Sequence, residues 1–130
     1  QGAFLNKPSI EQKLELINLS IEIGVQNAML GFPAASRSEF EDCKRILHHL
    51  DTYSLPLNVF FLARTHIEDL KPIVALNKLS SRKVGADFFI GTSKLRCFIE
   101  GWNYKTMLQK CDDAFQYLNE NATPSSISLE

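Results

Sequence analysis

Leu57-Asn58-Val59-Phe60-Phe61-Leu62-Ala63-Arg64-Thr65-His66-Ile67-Glu68 is the stretch that decides the fold. Val59 to Leu62 are apolar without a break, so Leu57 to Ala63 reads as a strand buried on both faces. Thr65 followed by Glu68 has the form of a capping box, which predicts that a helix starts at once. Ile67, Leu70, Val74 and Leu76 supply its apolar spacing. Pro72 lacks an N–H and clashes with the preceding turn, so a short helix to about Leu70 and a second helical piece from Pro72 are expected.

The same alternation extends in both directions. Upstream, Ser9 and Gln12 form a capping box for a helix whose stripe is Ile10, Leu14, Ile17 and Ile21, widened by Leu16, Leu19 and Ile23. Gly24 fits the left-handed position past its end. Val25 to Phe32 reads as another doubly buried strand, closed by Pro33. The next helix is capped by Ser36 with Glu39 or by Ser38 with Glu41, and it buries Phe40, Cys43, Ile46, Leu47 and Leu50. Downstream, Gly85 to Gly91 is the third strand, centred on Phe88, Phe89 and Ile90. Asn103 caps a last helix with a stripe of Tyr104, Met107, Leu108, Cys111, Phe115 and Leu118. Ser126 to Glu130 alternates polar and apolar residues, so a strand begins there and the chain is expected to be cut in mid-element, with Leu129-Glu130 a possible cloning scar.

Helix and strand therefore alternate as α-β-α-β-α-β-α-(β), which predicts an α/β fold with right-handed crossovers and a parallel sheet. An open doubly wound sheet and a slice of a (β/α)₈ barrel fit this order equally well. A complete barrel takes about 250 residues, so a chain of 130 residues holds roughly half of one. There is no Gly-x-Gly-x-x-Gly after a strand and no Walker loop, which counts against a nucleotide-binding domain.

Hydrophobic residues make up 45% and charged residues 22%, enough apolar material for a core. Formal net charge is -1 and no basic run stands out, so no nucleic-acid partner is expected. No apolar run approaches the roughly 20 residues of a membrane span, and Gln1 to Leu5 lacks the charged region of a signal peptide. Three separated cysteines, Cys43, Cys97 and Cys111, favour free thiols in a reducing cytoplasm over a disulfide framework or zinc knuckle.

Four stretches carry a resemblance. Gly31-Phe32-Pro33-Ala34-Ala35-Ser36, leading to Glu39-Phe40, resembles the second-strand signature of the 2-isopropylmalate synthase and homocitrate synthase-like family, which comprises metal-dependent (β/α)₈ barrel acyltransferases and lyases. Leu62-Ala63-Arg64 with Ile67-Glu68 is similar to that family's third strand. Phe89-Ile90-Gly91-Thr92-Ser93 is similar to its fourth, usually written Phe-Ile-Ala-Thr-Ser. Gln1, followed by Glu11-Gln12-Lys13-Leu14, resembles the end of an Arg-Asp-Gly-x-Gln motif and the helix after it. A few extra residues around Ala75 to Lys83 interrupt the spacing. The six-residue run is specific, whereas the others persuade by their order.

The resemblance implies a partial TIM barrel in which residues 1–130 run from the first-strand exit to the start of the fifth strand of a catalytic domain. It implies a condensation of acetyl-CoA with a 2-oxo acid in the intact parent, placed in leucine or related amino-acid biosynthesis. A divalent ion, Mg, Mn or Zn, would polarise the keto group. Its family ligands, an Asp on the first strand and a late His-x-His pair, would lie outside this chain, so no metal ligand and no catalytic residue are expected here. The parent is expected to be a cytoplasmic homodimer that binds no nucleic acid or membrane. Met29, Asp87, Lys94 and Arg96 depart from the pattern, standing respectively for Glu, His, Asp and His.

Candidate substrate-binding residues are Arg64, Thr92, Ser93, Asp87 and Gln1. Arg64 ends a barrel strand, the rim where such sites sit, and binding a substrate carboxylate is favoured over pairing with Glu68 or Asp69. Thr92 and Ser93 either bond substrate or cap a turn. Asp87, in a strand expected to be buried, is either a pocket residue or a paired structural one. Gln1 is either the motif glutamine or a frayed terminus. Met29 reads as core. His48 and His49 are adjacent on a helix and point about 100° apart, so a solvated helix end is favoured over a metal site. His66 is read as a surface residue and Trp102 as packing before the last helix. The cysteines have no base partner in view. Two other functions stay open: a non-catalytic or degenerate barrel piece kept for assembly, and a lyase like 3-hydroxy-3-methylglutaryl-CoA lyase, against which the Gly31–Ser36 run argues.

Overall fold

The computed structural model describes residues 7–129. Helix α1 (Ile10–Glu22) starts at Ser9, whose hydroxyl accepts the Gln12 N–H at 3.3 Å while Gln12 Oε1 accepts the Ser9 N–H at 2.9 Å. Gly24 follows its end at φ +92°, a conformation that side chains with a Cβ resist. Strand β1 (Asn27–Met29) leads through a 3₁₀ turn at Pro33–Ala35 into α2 (Arg37–Thr52). Of the two possible caps for α2 the chain uses Ser36, which accepts the Glu39 N–H at 3.1 Å.

Strand β2 (Asn58–Arg64), helix α3 (Ile67–Leu79) and strand β3 (Val84–Ile90) follow, each within a residue or so of its expected limits except α3. That helix runs unbroken through Pro72. The proline forfeits one hydrogen bond near the helix start, and burial of Leu70, Ile73, Val74 and Leu76 outweighs the loss. The expected Thr65–Glu68 box does not form. His66 occupies the cap position without a side-chain bond, Thr65 is buried, and its N–H reaches the Phe89 carbonyl at 3.3 Å. A short helix α4 (Lys94–Glu100), not foreseen in the sequence, precedes α5 (Tyr104–Glu120) and the closing strand β4 (Ser125–Leu129). Asn103 caps α5 as expected, but its stripe is only partly covered: Ala114 and Leu118 are buried, while Tyr104, Leu108 and Phe115 stay exposed.

All pairings are parallel and the sheet order is β1-β2-β3-β4. A doubly wound sheet reverses its strand order and carries helices on both faces. Here the order simply advances, and Val59, Phe61, Ala63, Val84, Ala86 and Phe88 turn one face onto α2, α3 and α5 in a single core. The alternating residues form the opposite, inner face. This is a partial (β/α)₈ barrel, curled but not closed. Val25 to Phe32 is not the doubly buried strand that its composition implies. Asn27 and Met29 are exposed, because β1 is the sheet edge and no strand lies beyond it among the described residues.

Arg82 fixes the end of the sheet where the strands begin. Its guanidinium meets Asp51 Oδ1 at 2.7 Å and donates to the carbonyls of Leu50, Leu55 and Leu57 at 2.6, 3.1 and 2.9 Å. Ser80 Oγ and the Ser81 N–H complete the Asp51 shell at 2.8 and 3.0 Å. The unexpected residues after Ala75 thus carry α3 to Leu79 and place this clasp.

Candidate functional site

Register turns the inner face into layers. Asn27 lies beside Asn58, and their side-chain amides bond at 3.0 Å. Met29, Phe60 and Gly85 form the next row, and a Cβ on Gly85 would sit 2.5 Å from the Phe60 ring, so only glycine leaves room for it. Leu62, Asp87 and Ser126 follow, and then Arg64, Phe89 and Ser128. Beyond that last row the strands open into the loops where barrels of this kind carry their sites.

The Gly31–Ser36 run shapes one side of this rim. Gly31, at φ +152°, lets α2 approach, since a Cβ there would lie 3.0 Å from Glu39 Oε1 and 3.1 Å from Cys43 Sγ. Buried Glu39 is held by Lys7 and Lys13 at 3.2 and 3.7 Å. Lys13 also meets Asp42 at 2.8 Å and, as the largest influence, holds that carboxyl below its ordinary value. Burial pushes the Cys43 thiol up to about 12, so it is a packing residue.

Arg64 stands in the rim layer, but its guanidinium is engaged. Nε and Nη2 donate to Asp69 Oδ2 and Oδ1 at 2.6 and 3.0 Å, a fork on the first turn of α3. Asp69 is buried, whereas the Arg64 side chain is 53% exposed. Burial alone would raise the Asp69 carboxyl, but the Arg64 hydrogen bonds and charge bring it below its ordinary value. The Phe32 ring lies 6.0 Å from the guanidinium carbon. Nη1 makes no hydrogen bond among the described residues. Of the two carboxylates weighed as partners, Asp69 takes Arg64 and Glu68 pairs with Lys71.

Asp87 is half-buried rather than buried, because it points into the open inner face. Its Oδ1 accepts both Ser126 Oγ at 3.0 Å and Ser128 Oγ at 3.3 Å. Ser93 is the cap of α4, accepting the Arg96 N–H at 3.2 Å, and Thr92 is exposed beside it, its carbonyl 3.8 Å from Cys97 Sγ. Lys94 and Arg96 lie in the first turn of α4. The Arg96 stem covers Gly91, where an added Cβ would lie 3.1 Å from Arg96 Cγ, so these two departures from the resembled pattern accommodate each other. Gln1 lies outside the described residues. Met29 is 49% exposed at the sheet edge and is not core. Asn18 meets His49 at 3.0 Å. Trp102 is half-buried, with the Lys110 ammonium 5.2 Å from its ring.

Among the described residues no group of three or more His, Cys, Asp or Glu side chains is placed to hold a metal ion, and no helix is long and apolar enough to cross a membrane. The structure thus brings Arg64, Asp87, Phe89, Thr92 and Ser93 to one end of a parallel sheet. Sequence reading ranked the Asp69 pairing of Arg64 second, and it missed the Ser126 and Ser128 hydroxyls on Asp87 and helix α4. The carboxylate five residues after Arg64 was a visible signal for that pairing.

Parallel strands in sequential order, helices on one side and polar residues at the strand ends define a segment of a (β/α)₈ barrel with its rim on this chain. A family model described as HMGL-like matches residues 3–130, and the chain belongs to that family. It is 30% identical over 121 residues to the protein named homocitrate synthase AksA of Methanopyrus kandleri, an alignment that covers 92% of this chain. The chain spans 28% of that relative's length.

Proposed function

We propose that residues 1–130 form part of the catalytic barrel of a 2-isopropylmalate synthase-like acyltransferase, which joins acetyl-CoA to a 2-oxo acid. The observation that carries this reading is the rim layer, a guanidinium aimed and held at the open end of a barrel of this family. The described residues do not fit a metal site, so the divalent ion is assigned to residues outside this chain. What this chain supplies is a pocket wall. Asp69 takes two donors along one edge of the Arg64 guanidinium and leaves Nη1 for a substrate carboxylate. Thr92 and Ser93 edge the same opening, with Ser93 also holding the turn.

The balance of the reaction is that of a carbon–carbon condensation. A base takes a proton from the acetyl methyl, the carbanion adds to the keto carbon while the keto oxygen takes up a proton to become a hydroxyl, and water cleaves the thioester to a carboxylate and free CoA thiol. In the parent protein, Arg64→Ala should lower kcat/KM for the 2-oxo acid by about 10- to 150-fold, since a charge-assisted contact is worth about 1.5–3 kcal/mol. Free CoA thiol reports the rate. The KM for acetyl-CoA should move far less, and a variant with unchanged 2-oxo acid kinetics would return Arg64 to a purely structural pairing with Asp69.

A further inference from the structure

We propose that Asp87 selects the 2-oxo acid by charge, excluding substrates whose tail ends in a second carboxylate. The inference rests on the 2-oxo acid reading above and concerns the far end of that substrate.

The inner face carries two formally charged side chains, Arg64 and Asp87, among the described residues of the four strands. Arg64 is matched by the fork to Asp69, so it offers little net positive charge to a distant anion. Among the described residues Asp87 meets no cation. Its two donors are the neutral hydroxyls of Ser126 and Ser128, and both go to Oδ1, which leaves Oδ2 without a hydrogen bond among the described residues. Register places Asp87 one layer below Arg64 and Phe89, level with Leu62. A 2-oxo acid held at the rim by its own carboxylate therefore sends its tail towards Leu62 and Asp87. An apolar tail meets Leu62, and a hydroxyl or amide N–H can donate to Oδ2. A carboxylate meets a like charge that no cation among the described residues neutralises. Two such charges about 5 Å apart, at an effective dielectric constant of about 20, repel by about 3 kcal/mol, or roughly 100-fold in affinity.

The test is titration calorimetry on the full-length parent with Mg²⁺ and without acetyl-CoA, so that it reads binding and not turnover. Wild-type protein should bind 2-oxoisovalerate at least about tenfold more tightly than 2-oxoglutarate. Asp87→Asn keeps an acceptor for the serines and removes the charge, and it should tighten 2-oxoglutarate more than it changes 2-oxoisovalerate. Should that variant fail to fold, the wild type decides alone: the 5-methyl ester of 2-oxoglutarate, whose tail is uncharged, should bind more tightly than 2-oxoglutarate itself. Tighter binding of 2-oxoglutarate than of either ligand with an uncharged tail, or an Asp87→Asn protein with the wild-type preference, overturns the selection while leaving the 2-oxo acid reading in place. Binding of none of the three ligands overturns that reading and this inference together.

Discussion

Replacing Arg82 with Met removes a guanidinium that joins α2, the entry to β2 and the entry to β3, while keeping most of its apolar stem. Four contacts go at once: Asp51, and the carbonyls of Leu50, Leu55 and Leu57. Their strengths do not add, because one side chain makes them all. Losing one partner of a buried ion pair costs about 3–5 kcal/mol. Arg82 and Asp51 retain 17% and 18% exposure, and Asp51 keeps Ser80 and Ser81, so the loss should lie near the lower end, about 3 kcal/mol. Urea unfolding measures it. With m near 1.5 kcal/mol/M, the midpoint should fall by about 2 M. Acid supplies a second reading. Burial pushes the Asp51 carboxyl up, but the bonds from Arg82, Ser80 and Ser81 outweigh it and hold the group below its ordinary value. A carboxyl lowered in the folded state contributes stability above its unfolded pKa and loses it as pH falls through the folded one. The gap between wild type and variant should thus be constant above about pH 5 and narrow below about pH 4. A loss under about 1 kcal/mol, or a gap that widens in acid, would refute the assignment of Arg82 as the clasp of this end.

Two other changes test packing. Maleimide at pH 7.5 should label half-buried Cys97 and Cys111 in the folded chain and spare Cys43, whose thiol is fully buried and pushed up to about 12; labelling of Cys43 at the rate seen in denaturant would contradict its place on the buried face of α2. Pro72→Ala restores a donor inside α3, and after the greater freedom of the unfolded chain is subtracted it should raise stability by about 1 kcal/mol, read as a higher melting temperature; a fall would mean that the proline ring packs better than its helix position allows.

The fold was legible where one signal dominated. Ser9, Ser36 and Asn103 cap the helices that their spacing implies, since a cap depends on neighbours three residues away. Apolar runs located β2 and β3 for a similarly local reason. Choosing barrel over doubly wound sheet needed either the family resemblance or the observed strand order, because βαβ alternation is common to both. Long-range facts were not legible. Composition made Val25 to Phe32 look doubly buried, but edge position is a property of the whole sheet. Thr65 was drawn into the sheet by Phe89, a partner 24 residues away, rather than into a capping box. At the candidate site, the position of Arg64 followed from its strand end, whereas Asp87 was expected in a buried strand and is half-buried on the open inner face. Their partners came from the α3 turn and from β4, which sequence spacing alone did not assign.

Free CoA thiol release by the parent protein, compared with release by the 130-residue chain, tests the central claim most directly. With acetyl-CoA and a 2-oxo acid of uncharged tail, the parent should turn over in the presence of Mg²⁺, Mn²⁺ or Zn²⁺ and lose activity on chelation, whereas the chain alone should release no CoA above background under any of these conditions. Metal-dependent release by the chain alone, or a folded parent that binds 2-oxo acid and metal yet releases none, would contradict the account of this chain as the substrate-binding wall of an acyltransferase barrel.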